Sequence, residues 1–265
     1  MTDIPKAVVH VNFLPDVLIF DARPIWSAVM KASREKRLPA DAMERIRGTW
    51  GNTAIHLATR DGIMRVAVRE LKAGMKALCD LIQVTLSVDT LRQLPLLNGK
   101  DVDHARDLVL FAVDGFLYEF RAFLELLAKF CYGVLSDIGK EPASKQRLAS
   151  GRDVTIKTAR GKIQPNDFLL YLCDQLAISA LWYEFLTKNR NFFTHEGAPY
   201  CAVEHLLQAP PAYDVLIMKT NILDFSAASP DDYFRVSDCA KVLEGVHQLA
   251  RAVQSYLIQT IDKLH

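Results

Sequence analysis

A mostly α-helical fold is what this sequence predicts: an antiparallel helical bundle with a small β-hairpin inserted before the last helix and a short extended segment at the N-terminus. Three observations carry that expectation. Apolar residues return every three or four positions over long tracts from residue 61 onward, prolines punctuate those tracts, and β-rich composition is confined to a few short stretches. Half of the 265 residues are hydrophobic, enough for a sizeable core.

Residues 7–20 include Val8, Val9, Val11, Phe13, Val17, Leu18, Ile19 and Phe20, interrupted by Pro15, and read as one or two short strands or an extended arm packed on the body. Helices are expected over 24–37 and 41–60, with Asp41 as N-cap of the second and Gly48 and Gly51 weakening it. These first 60 residues form an N-terminal extension, and residues 61–265 form the body. From Asp61, Met64, Ala67, Val68, Leu71, Met75, Leu78, Ile82 and Leu86 mark one face of a long helix that Pro95 stops. A second long helix spans about Asp103 to Ile138, with Val109, Val113, Phe116, Leu117, Phe120, Leu124, Leu127, Cys131 and Val134 as its apolar stripe. At 1.5 Å per residue it reaches roughly 50 Å, so it must bend or pack against an equally long antiparallel partner.

Between Gly139 and Pro165 seven basic residues face two acidic ones, a local balance of +5 in a chain whose total is +1. The rest of the chain therefore carries −4, and any nucleic-acid surface must be local. The ordinary reading of this tract is a solvated loop. The sharper one is a phosphate-tracking arm in which Lys157, Arg160 and Lys162 bind RNA. Asn166 or Asp167 caps a third helix, Phe168 to about Phe193. Strands at 200–205 and 213–225 follow, around Ala209-Pro210-Pro211. A final helix from about Ser237 to Leu264 closes the bundle with Val242, Val246, Leu249, Val253, Leu257 and Ile261.

Five cysteines without paired spacing favour reduced thiols over a disulfide framework or a zinc knuckle. The N-terminus carries no basic leader with a small-residue cleavage site, and no tract is apolar enough to span a bilayer. The expectation is a cytoplasmic protein without membrane contact. His56, His104, His205 and His247 share no ligand spacing, so neither a metal nor another cofactor is called for.

The chemistry concentrates at the end of the third helix, where Arg190, Asn191 and His195 stand in the run Lys188-Asn189-Arg190-Asn191-Phe192-Phe193-Thr194-His195, just ahead of Gly197 and Pro199. A guanidinium stays charged and grips phosphate with two N–H groups, while an imidazole exchanges a proton near neutrality. Such a pair at a helix end also suits plain capping of carbonyls at the negative end of the helix dipole. On an unbroken helix Arg190 and His195 would stand roughly 140° apart. For the pair to share one pocket, either the helix distorts before Gly197 or the motifs of two chains meet across a two-fold axis. Asn191, four residues before His195, shares its face and can orient the imidazole or bind a phosphate oxygen. Glu119, in an apolar stretch of the second long helix, either pairs with Arg121 or another basic residue or orients Arg190 from behind.

At Arg190, Asn191 and His195 the chain resembles the HEPN superfamily (higher eukaryotes and prokaryotes nucleotide-binding domains). Its mark is an arginine, commonly followed by Asn, Asp or His, with a histidine four to six residues after the arginine. The resemblance covers about residues 60–265, and one short motif carries most of it. It implies a helical, homodimeric domain that acts as a metal-independent endoribonuclease, leaving 2′,3′-cyclic phosphate and 5′-hydroxyl ends, in the setting of a toxin or defence effector with a protein inhibitor. His195 would serve as general base or acid, and Arg190 would neutralise charge on the pentavalent phosphorus. Other members bind a nucleotide or RNA without turnover. An inert helical scaffold subunit, with Arg190 and His195 in unrelated contacts, is the reading from a different class.

Overall fold

Proline in its first turn sets where the first helix begins. In the computed structural model, which describes residues 20–85, 100–140, 167–178, 180–195, 200–206, 212–218 and 233–265, α1 is Arg23–Arg34. Pro24 sits in its first turn, where a missing N–H costs nothing, and Ile25, Ala28, Val29 and Ala32 bury one face. The helix stops short of the expected residue 37 because Lys36 takes a positive φ of 55°. Arg37 is thereby turned toward the chain's end, and its guanidinium donates to the carbonyls of Ile261 at 2.9 Å and Leu264 at 3.1 Å. Both carbonyls lie at the C-terminal end of the last helix, and the one of Ile261 also accepts from Leu264 N–H at 3.2 Å.

Helix α2, Ala42–Thr49, passes through a π-helical turn, Trp50–Ala54, into α3, Ile55–Thr85. Asp41 occupies the N-cap position as expected but caps no N–H; its carboxylate takes the Arg45 guanidinium instead. The widened turn swings Trp50 onto Trp26 (5.0 Å between ring centres) and Phe130 (5.3 Å). Gly48 and Gly51 therefore do not end the helix, and the division expected at residue 60 falls inside α3.

Helix α4, Lys100–Asp137, is the longest element. Its expected stripe is buried from Val109 to Val134, with Leu124 half-buried. Gly139 ends it at φ 76°, so that Lys140 N–H reaches the Leu135 carbonyl (2.9 Å) and Gly139 N–H that of Ser136 (3.0 Å). Near this end Gly133 lets Thr49 approach: an added Cβ would lie 2.6 Å from the threonine methyl. The Thr49 hydroxyl donates to Asp137 at 2.5 Å, and Arg45 donates to the Asp137 carbonyl at 2.8 Å. Burial pushes the Asp137 carboxyl up, and the Thr49 bond and the Arg45 charge pull it back.

The expected third helix appears as α5, Asp167–Ile178, and α6, Ala180–His195. Three antiparallel strands follow in the order β1 (Tyr200–Leu206), β2 (Ala212–Met218) and β3 (Tyr233–Arg235), with Tyr200 opposite Met218 and Leu216 opposite Arg235. The hairpin falls where the sequence predicts one, residues 219–225 of the expected second strand lie outside the described residues, and β3 was not anticipated. Asp214 on β2 is buried and accepts from Ser237 N–H (3.3 Å) and from the Ser237 hydroxyl (2.5 Å), tying the sheet to the 3-10 turn that leads into α7, Cys239–Asp262.

Apart from Phe20, the expected N-terminal strands lie outside the described residues, as does the basic tract beyond Lys140. Of the described residues, Arg65–Tyr118 and Thr187–Val242 form one compact unit. Those within Pro15–Met64, Glu119–Leu186 and Leu243–His265 form the other. In the first unit Val68, Leu71, Met75 and Val113 are buried, and a Cβ added at Gly74 of α3 would lie 3.4 Å from the Val109 backbone. The second is richer in buried aromatic side chains, with Phe120, Phe123, Phe130 and Phe168 fully enclosed. No described helix is long and apolar enough to cross a membrane.

Candidate functional site

Helix α6 carries the Arg–His motif, and the packing of its two halves fixes it. In its first half Trp182 lies against α7 at Gly245, where an added Cβ would come within 2.3 Å of the indole, so the residue there has to be glycine. In its second half Phe192 is buried and Phe193 meets Phe234 of β3 edge-on at 6.3 Å. The Thr194 hydroxyl donates back to the Arg190 carbonyl, one turn earlier, at 2.9 Å.

No distortion of α6 brings Arg190 and His195 together within the chain. The helix runs unbroken through His195, so the 140° rotation stands and Arg190 and His195 flank the outer face of the last turns rather than converging. Arg190 and Asn191 are half-buried and His195 is exposed. The motif is thus open to solvent at both ends, with Asn191 on the histidine's side.

The carboxylate coupled to Arg190 is Asp114 of α4, which sequence reasoning missed. Burial pushes the Asp114 carboxyl above its ordinary value, and the charge of Arg190 pulls it back down. Arg190 keeps its Nε enclosed, with no hydrogen-bond partner among the described residues. With Nε enclosed, an incoming anion can engage Arg190 only through the part of the half-buried guanidinium that solvent reaches.

Glu119, weighed as a support for Arg190, accepts from Arg60 of α3, the kind of basic partner that was the alternative. It belongs to a charged layer in the second unit. There Asp61 is fully buried and Arg121 is 3% exposed. Arg121 reaches Glu125 at 3.4 Å and stands 5.5 Å over the Tyr183 ring. His247 of α7 feels both Asp61 and Arg251. Lys157, Arg160 and Lys162 lie outside the described residues.

Phe111 and Tyr118 of α4 were also passed over. They are 75% and 49% exposed, on the face opposite the buried stripe, with Asp114 between them. The signal was present in the sequence: two aromatic residues seven apart that fall off the apolar periodicity of their own helix. Among the described residues no group of three His, Cys, Asp or Glu gathers as a metal site. The Cys201 thiol is pushed up to about 12, chiefly by burial, which leaves it unreactive near neutrality.

No family model, curated protein or solved structure matches the chain.

Proposed function

We propose that this protein is a cytoplasmic, homodimeric endoribonuclease that cleaves RNA without a metal, acting as a toxin or defence effector of the HEPN type and held in check by a protein inhibitor. The observation that carries the reading is a half-buried Arg190 and an exposed His195 on one helix end, with the carboxylate of Asp114 coupled to the arginine. The ribose 2′-hydroxyl attacks its own 3′-phosphate. One histidine takes the proton from that hydroxyl, a second returns a proton to the departing 5′-oxygen, and Arg190 neutralises the extra charge on phosphorus. Because the helix holds His195 about 140° away from Arg190, two chains supply the complete set, each arginine working with the partner's His195.

Incubation of purified protein with RNA in excess chelator tests this. Cleavage to 2′,3′-cyclic phosphate ends is expected from wild type, with loss in Arg190→Ala and in His195→Ala. No cleavage by wild type removes the nuclease reading. Equal cleavage by both variants assigns the activity elsewhere.

The unconverged pair within one chain favours a second reading, a module that binds a nucleotide or RNA end at Arg190 without turnover. RNA binding that depends on Arg190 but not His195, with no cleavage, would identify it.

A further inference from the structure

Phe111, Asp114 and Tyr118 occupy positions i, i+3 and i+7 of α4, so they share one face over about 10 Å of helix. Isolated exposed apolar residues need no explanation. Here two aromatic rings share a face with Leu108, itself 41% exposed, and the carboxylate between the rings is the one coupled to Arg190. At about 200 Å² per aromatic side chain, the exposed parts of these residues amount to roughly 300 Å². A standard protein interface takes about 800 Å² from each partner. The patch matches planar rings laid on rings better than a second folded surface.

Its chemistry narrows the occupant further. A carboxylate repels phosphate but accepts the N–H groups on the edge of a nucleobase, as Asp and Glu do from the cytosine amine. Aromatic faces stack on any base. The neighbouring guanidinium attracts the phosphate that the carboxylate refuses. We infer that the α4 face bearing Phe111, Asp114 and Tyr118 is a base-recognition platform for single-stranded RNA, in which the rings stack on bases, Asp114 accepts a base-edge N–H and sets base preference, and Arg190 holds the adjoining phosphate. The inference rests on the reading of Arg190 as a phosphate ligand and adds to it the part of the substrate that is read.

The test is equilibrium binding of short fluorescent single-stranded RNA homopolymers to the His195→Ala protein in chelator, followed by anisotropy. Phe111→Ala and Tyr118→Ala are each expected to weaken binding about tenfold, with the melting temperature unmoved because both rings are exposed. Asp114→Asn is expected to change the order of preference among the four homopolymers, with about a tenfold change for the favoured base. Binding unaffected by either ring variant overturns the platform, as does failure of every oligonucleotide to bind. Ring variants that lower the mass measured by sedimentation equilibrium while leaving RNA affinity unchanged give the face to a second copy and also overturn it. Ring-dependent binding by a wild-type protein that never cleaves supports the platform and sinks the nuclease alone. Cleavage indifferent to the rings does the reverse.

Discussion

Arg121 and Arg190 show how differently two arginines of one chain can be enclosed and paired. Arg121 is 3% exposed, with Glu125 at 3.4 Å and the Tyr183 ring beneath it. Arg190 is half-buried, and the carboxylate that feels its charge is Asp114 of α4. A desolvated charge must be paired on the spot or it destabilises the fold, so the interior arginine is spent on its neighbours. At the rim, solvent relieves part of that demand, and less complete pairing is tolerated.

The largest effect expected from this contrast is on catalysis. Arg190→Ala and His195→Ala should each lower the rate of RNA cleavage by about 100- to 1000-fold, the usual loss for a group that stabilises transition-state charge or moves a proton. Thermal unfolding of both variants should stay within a few degrees of wild type. A variant that unfolds instead would make Arg190 a second Arg121, and the distinction would vanish.

Arg121→Ala should behave in the opposite sense. Loss of a buried partner costs about 3–5 kcal/mol, and the value here should fall toward about 2–3 kcal/mol because Glu125 keeps 42% of its side chain in solvent. In a chain of this size that lowers the melting temperature by roughly 5–10 °C. RNA affinity measured below the transition should be unchanged. Affinity that falls in step with Arg190→Ala would place both arginines in one site.

Gly245→Ala comes next, because it tests whether the seat of Trp182 fixes the helix that carries the motif. The added methyl would meet the indole at 2.3 Å, and overpacking of this kind costs about 1–3 kcal/mol. Trp182→Phe in the same background should recover part of the loss by removing the clashing ring. If Gly245→Ala is as stable as wild type, α6 and α7 do not meet at this point.

The long helices were legible because burial on one side writes itself into the sequence at 3.6-residue spacing: Val109, Val113, Phe116 and Val134 lie buried where periodicity put them. The joint at Trp50–Ala54 was not, because two glycines look the same whether a helix ends or widens into a π-turn around a neighbouring tryptophan. The site was half legible. Arg190, Asn191 and His195 are neighbours in the chain, so their spacing could be weighed directly. Asp114 stands 76 residues before Arg190, and no local pattern reveals which carboxylate of a facing helix will meet an arginine. Glu119 was singled out for its apolar surroundings, and the same burial required that a close partner, Arg60, be already in place.

The smallest effect is a pair of opposite pH slopes that separates the two regions again. His247, in the charged layer, has its imidazole held below the ordinary 6.5, first by burial and then by Arg251 on the next turn, while Asp61 of α3 pulls the other way. Protonation therefore favours the unfolded chain. Stability is complete above pH 6.5 and is lost as pH falls from 6.5 through the folded value. Asp114, beside Arg190, has its carboxyl held above the ordinary 3.8 by burial. Ionisation is what it disfavours, so its contribution is complete below pH 3.8 and is lost as pH rises through the folded value. His247→Gln should flatten the first slope and Asp114→Asn the second, each by under about 1 kcal/mol in chemical unfolding across pH, since solvent reaches both groups. If one substitution flattens both slopes, the two titrations belong to a single electrostatic network, and the separation between a closed structural layer and an open ligand site does not hold.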